Sequence, residues 1–222
     1  MHLASDAAVV LLSGGQDSVT CLAWALTRFA RVEAVTIAYG QRHRVELDCA
    51  ARIARRAGIG MTLIPCDSFA ALGGNSLTGP EAVSDGLRSD SGLPTSFVPG
   101  RNLVFLTLAA ARAWQVGAAN LVTGVCQTDY SGYPDCRADT MAALQTALRL
   151  GMDAPFVIHT PLMALTKAAT VLMLRDLGHL DWLADSHTCY NGSQPPCGTC
   201  PACRLRAKGF AEAGVTDPLL GP

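Results

Sequence analysis

The sequence predicts an α/β fold: an open parallel five-stranded sheet with helices on both faces, joined to a small C-terminal subdomain held by four cysteines. Three observations predict it. Short apolar runs alternate with helix-length segments, the pattern of strand–helix–strand units with parallel strands and right-handed crossovers. The first apolar run breaks through a paired-glycine turn straight into a helix. Near the C-terminus four cysteines follow at metal-ligand spacing. The division is expected at residues 1–180 for the α/β domain and 181–222 for the cysteine-bearing subdomain.

Val9-Val10-Leu11-Leu12 is a short apolar run and reads as a buried parallel strand. It turns through Ser13-Gly14-Gly15-Gln16-Asp17-Ser18 into a helix over residues 19–29. Gly14 and Gly15 permit a tight turn and leave no Cβ in the way of a ligand. Successive N–H groups and the helix N-terminus then face one point, and phosphate is the natural occupant. The Ser13 and Ser18 hydroxyls can add hydrogen bonds. Asp17 beside a phosphate implies a cation between them, so it is assigned to Mg²⁺. The string lacks the lysine of a Walker loop and the third glycine of a dinucleotide fingerprint. Ser-Gly-Gly-x-Asp-Ser at a first strand–helix junction instead resembles the PP-loop of ATP pyrophosphatases, which bind ATP and cleave it between the α- and β-phosphates. The plainer alternative is a Gly-Gly turn that merely caps a helix.

Residues 32–39 read as a second strand, followed by the basic turn Gly40-Gln41-Arg42-His43-Arg44. Ligands of open α/β sheets gather at the C-terminal ends of strands, so Arg42 and His43 could meet phosphate or base; a solvated turn is the alternative. Residues 46–57 form an amphipathic helix and 61–65 a third strand. Residues 68–100 hold many Gly, Ser, Pro and Asp and few apolar side chains, so they read as a long loop of the functional or mobile kind. An apolar helix is expected over 103–116 with Asn102 as its N-cap and Arg101 at its entry, within reach of an anionic ligand.

Residues 121–123 are a fourth strand, leading into a loop over 124–137 that is dense in hydrogen-bonding groups and aromatics. Tyrosines can stack on a heterocycle, aspartate can accept from a guanine-like N–H edge, and arginine can pair a carboxylate bidentately. Residues 139–150 are helical and 156–159 a short fifth strand. Lys167 then stands at a helix start, where it opposes the dipole unless an anion lies before it, so it is assigned to phosphate; the alternative is a solvent-exposed lysine at a helix end.

The chain has 222 residues, half of them hydrophobic, and a net charge of −1. A chain of this length buries about 70% of its unfolded surface and needs no disulfide staples. Near-neutral charge argues against a general nucleic-acid binder. No signal peptide and no transmembrane-length run is visible, so a cytoplasmic protein without membrane contact is expected. Nine cysteines in such a chain point to thiols or metal. Cys189, Cys197, Cys200 and Cys203 fit a closed tetrahedral zinc site of structural type; an iron–sulfur cluster is the competing occupant. His187 lies nearby, but four thiolates already complete the shell, so it reads as a supporting or site-wall residue. Cys21 and Cys49 fall on helix interiors and read as buried apolar residues.

The glycine loop, Ser-Gly-Tyr-Pro-Asp-Cys-Arg at 131–137, Thr160 to Lys167, and the four cysteines with Leu205-Arg206-Ala207-Lys208-Gly209 together resemble the 7-cyano-7-deazaguanine synthase family of the queuosine pathway, over nearly the whole chain. The resemblance implies an ATP-dependent ligase. It converts 7-carboxy-7-deazaguanine and ammonia to the nitrile through adenylated carboxylate and amide intermediates, with Mg²⁺, one structural Zn²⁺ per chain and a homodimer. It places ATP on Leu12, Ser13, Gly14, Gly15, Gln16, Asp17, Ser18, Val19, Thr20, Cys21, Leu22 and Arg42. Asp17, Lys167 and Arg101 become the catalytic set. The base and its carboxylate fall to Asp129, Tyr130, Ser131, Gly132, Tyr133, Asp135 and Arg137. Three rivals stay open: a tRNA-thiolating PP-loop enzyme, the same fold with another acceptor or an amide product, and a zinc-stabilised nucleotide-binding module without catalysis.

Overall fold

The computed structural model describes residues 3–41, 44–78, 86–127 and 132–221. Its centre is a parallel sheet in the order β3-β2-β1-β4-β5. The strands are β1 (Ala4–Leu11), β2 (Arg31–Ala38), β3 (Gly60–Pro65), β4 (Ala118–Val122) and β5 (Val157–His159). Every pairing is parallel. The chain leaves β1 toward β2 and β3 on one side and returns to β4 and β5 on the other. The β1/β4 boundary is therefore a topological switch point, where the connecting loops diverge and leave a crevice.

Alternation along β1 divides the core in two. Val9 faces α4 (Arg101–Val116) and α5 (Ala138–Gly151), packing with Leu106, Ala110 and Phe156. Ala8 and Val10 face α1 (Gln16–Leu26), α2 (Val45–Arg56) and α6 (Lys167–Asp176), with Leu22, Ile53, Val171 and Leu174. Period-two side chains buried on both faces give the near-continuous apolar run seen in the sequence. The five strands and the flanking helices match the expected fold class.

Element boundaries differ in instructive places. β1 begins at Ala4, ahead of its apolar run, because Ala4 N–H reaches Gly117 C=O at 2.7 Å across a register shift. The expected Asn102 cap is corrected: α4 starts at Arg101 after Gly100, which takes a left-handed φ of 72°. Asn102 sits inside the first turn and gives its N–H to Asp135 Oδ2 at 3.0 Å. The 68–100 segment is not structureless. It holds a short helix α3 (Ser68–Leu72), an Asn75 turn in which Oδ1 accepts from Leu77 and Thr78, and a bridge between Leu87 and Pro94. Leu77, Phe97 and Val98 from it are buried, and residues 79–85 lie outside the described set.

The last helix is α7 (Pro201–Ala213), which Cys200 caps through a bond from Cys203 N–H to sulfur. It packs on α6, and its Phe210 enters the α1/α6 core.

Candidate functional site

The loop after β1 is built by its own side chains. Ser18 Oγ accepts from Ser13 N–H at 3.2 Å and from Ser13 Oγ at 3.1 Å, and donates to Gly15 C=O at 2.8 Å. The single proton of Ser18 is thus engaged inside the loop, so this hydroxyl shapes the cradle rather than reaching out of it. The first intrahelical bond runs from Val19 N–H to Gly15 C=O at 3.1 Å. The amides of Gln16, Asp17 and Ser18 precede it and are not used by the helix, which leaves a row of donors at a positive helix end. The Gln16 carboxamide is buried at the cavity wall, and neither its nitrogen nor its oxygen has a partner among the described residues.

The two glycines have different reasons. Gly14 has φ +86°, and a Cβ there would lie 2.5 Å from Glu46 O and 2.8 Å from Ala50 N. Its missing side chain is what admits α2. Gly15 is extended, and an added Cβ would meet only His187 O at 3.5 Å and Ser13 Oγ at 3.6 Å. Gly15 lines the cavity. Behind it, His187 N–H donates to Gly14 C=O at 2.9 Å.

Asp17 faces Lys167, the first residue of α6. Lys167 Nζ donates to both carboxylate oxygens, at 2.9 and 2.8 Å. The anion that makes a lysine tolerable at this helix start is Asp17 itself. The Lys167 side chain is 11% exposed and that of Asp17 30%. Two further glycines permit this meeting. A Cβ on Gly124, just past β4, would lie 3.1 Å from the Asp17 backbone and Cβ; a Cβ on Gly209 of α7 would lie 2.5 Å from Lys167 Cγ. Neither was assigned from sequence, because each is required by a partner distant along the chain.

These groups open on a cavity of about 700 Å³. Its wall also carries Glu46, Tyr39, Arg101, Phe105, Tyr133 and Tyr190. Tyr39 and Phe105 rings stand 5.3 Å apart, and the Arg101 guanidinium lies 5.8 Å from the Tyr39 centroid and 5.9 Å from that of Tyr133. Burial works against the Arg101 cation, but the oxygens of Tyr39, Tyr133, Tyr190 and Asp135 outweigh it and hold its pKa above the usual arginine value. Burial, with Tyr133 alongside, pushes the Tyr190 hydroxyl well up. It also lifts the Glu46 carboxyl to about 7, against the pull of Arg101. Ser96 reaches in from the 68–100 segment, its hydroxyl 2.7 Å from that of Tyr133.

The expected site residues divide accordingly. Leu12, Ser13, Gly15, Gln16, Asp17, Ser18, Arg101, Tyr133 and Lys167 line the one cavity. Val19, Thr20, Cys21 and Leu22 do not: they follow α1 into the interior, each fully buried, so the structure removes them from the wall. Asp135 is buried and accepts from Asn102 N–H, where it anchors the start of α4. Gly132 and Arg137 are exposed and outside the cavity wall. Arg42, Asp129, Tyr130 and Ser131 lie outside the described residues. Tyr39, Glu46, Phe105, Tyr190 and Ser96 were missed. The usable signal was positional for Tyr39 and Glu46, which flank the turn at the C-terminal end of β2.

The four predicted cysteines converge. The sulfurs of Cys189, Cys197, Cys200 and Cys203 lie within 4.8 Å of one another, and those of Cys197 and Cys203 are 3.9 Å apart. Tetrahedral thiolates about 2.3 Å from one ion have edges of about 3.8 Å, so the set fits a single ion. Amide donors point at the sulfurs: Cys197 N–H to Cys189 at 3.5 Å and Cys200 N–H to Cys197 at 3.4 Å. The Thr199 hydroxyl and the Cys200 amide draw the Cys197 thiol down to about 5. Arg206 on α7 joins this region to the glycine loop. Its Nη1 donates to Ser186 Oγ and Thr188 Oγ1, on either side of His187, while Asp217 holds the rest of the guanidinium at 2.6 and 2.7 Å.

An amide row at the switch point of a parallel sheet, beside the Asp17–Lys167 pair, defines an α/β protein with an anion-binding loop after its first strand. A solved 4-thiouridine synthetase, in complex with RNA and bound ATP, shares the fold: TM-score 0.52, 17% identity, covering 94% of this chain and 50% of that one. The family model described as queuosine biosynthesis protein QueC matches residues 7–214, and the chain belongs to that family. A 7-cyano-7-deazaguanine synthase of Chromobacterium violaceum is 64% identical, covering 99% of this chain and 96% of its own length. One from Laribacter hongkongensis is 61% identical, covering 96% and 93%.

Proposed function

We propose that the chain is an ATP-dependent ligase that converts 7-carboxy-7-deazaguanine and ammonia to 7-cyano-7-deazaguanine. The observation that carries this reading is the row of loop amides facing the same cavity as the Asp17–Lys167 pair, in a member of the QueC family. A carboxylate oxygen of the base attacks the α-phosphorus of ATP, and pyrophosphate leaves. Ammonia adds to the acyl carbon, loses a proton and displaces AMP, which leaves the amide. The amide oxygen attacks the α-phosphorus of a second ATP and pyrophosphate leaves; loss of both N–H protons with departure of AMP then forms the nitrile. Each round consumes one ATP and releases one AMP and one pyrophosphate.

The protein's part is positioning and charge neutralisation. The amides of Gln16, Asp17 and Ser18 hold the leaving pyrophosphate, and Lys167 turns from Asp17 to neutralise it. Asp17, so released, would hold Mg²⁺, which supplies further neutralisation of phosphate charge when bound. Arg101 meets substrate anionic charge. Cys189, Cys197, Cys200 and Cys203 would hold one Zn²⁺; with all four positions filled by protein, the role is structural. That makes residues 181–222 a metal-ordered wall on the α/β domain of residues 1–180.

The substrates are small molecules. A net charge of −1 supports a chain that needs no nucleic acid. No helix among the described residues is long and apolar enough to cross a membrane. Nine free cysteines support a cytoplasmic setting. A homodimer is part of the same reading, and sedimentation tests it.

The deciding experiment incubates the protein with ATP, Mg²⁺, ammonium and 7-carboxy-7-deazaguanine. AMP should appear only with the base present, and the product should have the nitrile mass. Absence of base-dependent AMP rejects the ligase reading, and a product that stops at the amide mass rejects the second adenylation.

A further inference from the structure

We infer that Glu46 and Arg101 together read the guanine edge of the base, with Glu46 as the specificity-determining carboxylate. The inference rests on the proposed function for the identity of the substrate and goes beyond it in naming how that substrate is told from other purines. A guanine-type ring presents a carbonyl acceptor, a ring N–H and an exocyclic amino group side by side along its Watson–Crick edge. Its complement is a donor placed next to a group with two acceptor oxygens.

The cavity supplies one such pair by elimination. Among the described residues in its wall, the carboxylates are Asp17 and Glu46. Asp17 has both oxygens engaged by Lys167. Glu46 makes no ion pair and accepts no side-chain hydrogen bond among the described residues, although it is half-buried. The cost of that isolation shows in its lifted carboxyl. Arg101 is the cation that acts on it; no ion pair joins the two among the described residues, and both side chains line the same cavity. Aromatic faces flank the pair. Tyr39 and Tyr190 both feel the Glu46 charge, and Tyr39, Phe105 and Tyr133 supply ring surface around Arg101.

The backbone fixes this reader relative to the phosphate loop. The Glu46 carbonyl is the atom that excludes a side chain at Gly14, so the first turn of α2 is pressed on the loop. In this arrangement Arg101 donates to the ring carbonyl, and the two Glu46 oxygens accept from the ring N–H and the amino group. Base recognition therefore comes from α2 and α4. Of the two aspartates expected to contact the base, Asp135 is engaged at the helix start, and Asp129 lies outside the described residues.

The test compares 7-carboxy-7-deazaguanine with the analogue lacking the 2-amino group, following AMP release and base binding by calorimetry. The unaltered protein should favour the amino compound by roughly 10- to 100-fold in kcat/KM, the range for a hydrogen bond to a charged group. Glu46→Ala should raise KM for the amino compound by a similar factor and bring the two compounds within about threefold, while KM for ATP stays within about threefold. Glu46→Gln, which keeps the shape but turns an amide N–H toward a donor, should also collapse the preference, and it decides the matter if the alanine variant does not fold. A folded variant that keeps the preference overturns the inference and leaves the proposed function standing. An unaltered protein that releases no AMP with the amino compound overturns both.

Discussion

Replacing Gly14 and Gly15 one at a time by alanine separates the two reasons for a double glycine. Gly14 has φ +86°, and its added methyl would meet the Glu46 carbonyl at 2.5 Å and the Ala50 nitrogen at 2.8 Å. Both are backbone atoms of α2 and cannot swing away. The left-handed backbone costs about 1–2 kcal/mol, and forcing a methyl into a packed interface about 1–3 more, so Gly14→Ala should lose about 2–5 kcal/mol. At about 2–4 °C per kcal/mol for a chain of this size, that lowers Tm by about 4–20 °C. Gly15 has φ −85°, and its methyl would meet ordinary contacts at 3.5 and 3.6 Å. Gly15→Ala should therefore leave stability within about 1 kcal/mol. It should still cut kcat/KM for ATP by about 100-fold, because the methyl stands before the amide row on the cavity side. Calorimetric melting and AMP release read the two effects. A Gly14→Ala protein that melts within about 2 °C of the unaltered chain refutes the packing argument. A Gly15→Ala protein with undiminished ATP turnover refutes the placing of the leaving group on these amides.

Lys167→Met leaves Asp17 without its cation and should slow AMP release at least about 100-fold while costing about 1–3 kcal/mol, measured by initial rates and melting. Arg206→Met strands Asp217 in a pair whose side chains are 5% and 8% exposed, and should cost about 3–5 kcal/mol by denaturant titration. Cys200→Ser should lower bound metal, measured by elemental analysis, and Tm together, since it removes a metal ligand and the cap of α7. The Glu46 carboxyl, ordinarily near 4.5, sits near 7 in the folded chain. Between those values the folded state binds more protons than the unfolded state, so substrate-free stability falls as pH rises through this window. Glu46→Gln should flatten that part of the Tm–pH profile, and an unchanged slope would assign it elsewhere.

Much of the fold was legible because period-two and helical apolar patterns are local. Val9 and Val10 announce a strand whose two faces are both buried, whichever helices cover them. The cysteine spacing announced its cluster for the same reason, since short turns bring the sulfurs together. The substrate side was less legible. An aspartate in a polar loop reads as a ligand group, yet Asp135 is turned inward by the N–H of Asn102, 33 positions away. Glu46, unremarkable on an amphipathic helix, faces the cavity because Gly14 lets α2 approach. Residues 68–100, read as a loop, supply Leu77, Leu87 and Ser96 to the wall.

From the order of its residues alone this protein has its strands and helices, its double-glycine turn, its four clustered thiols and its family. Those depend on neighbours within a turn or two of chain, where torsion preferences and spacing decide. Only the folded chain decided that Asp17 meets Lys167, that Gly124 and Gly209 are empty for their sake, and that Glu46 and Arg101 stand together in the same cavity. Those meetings join residues 42 to 150 positions apart, and they exist because helices from both faces of the sheet converge at one switch point.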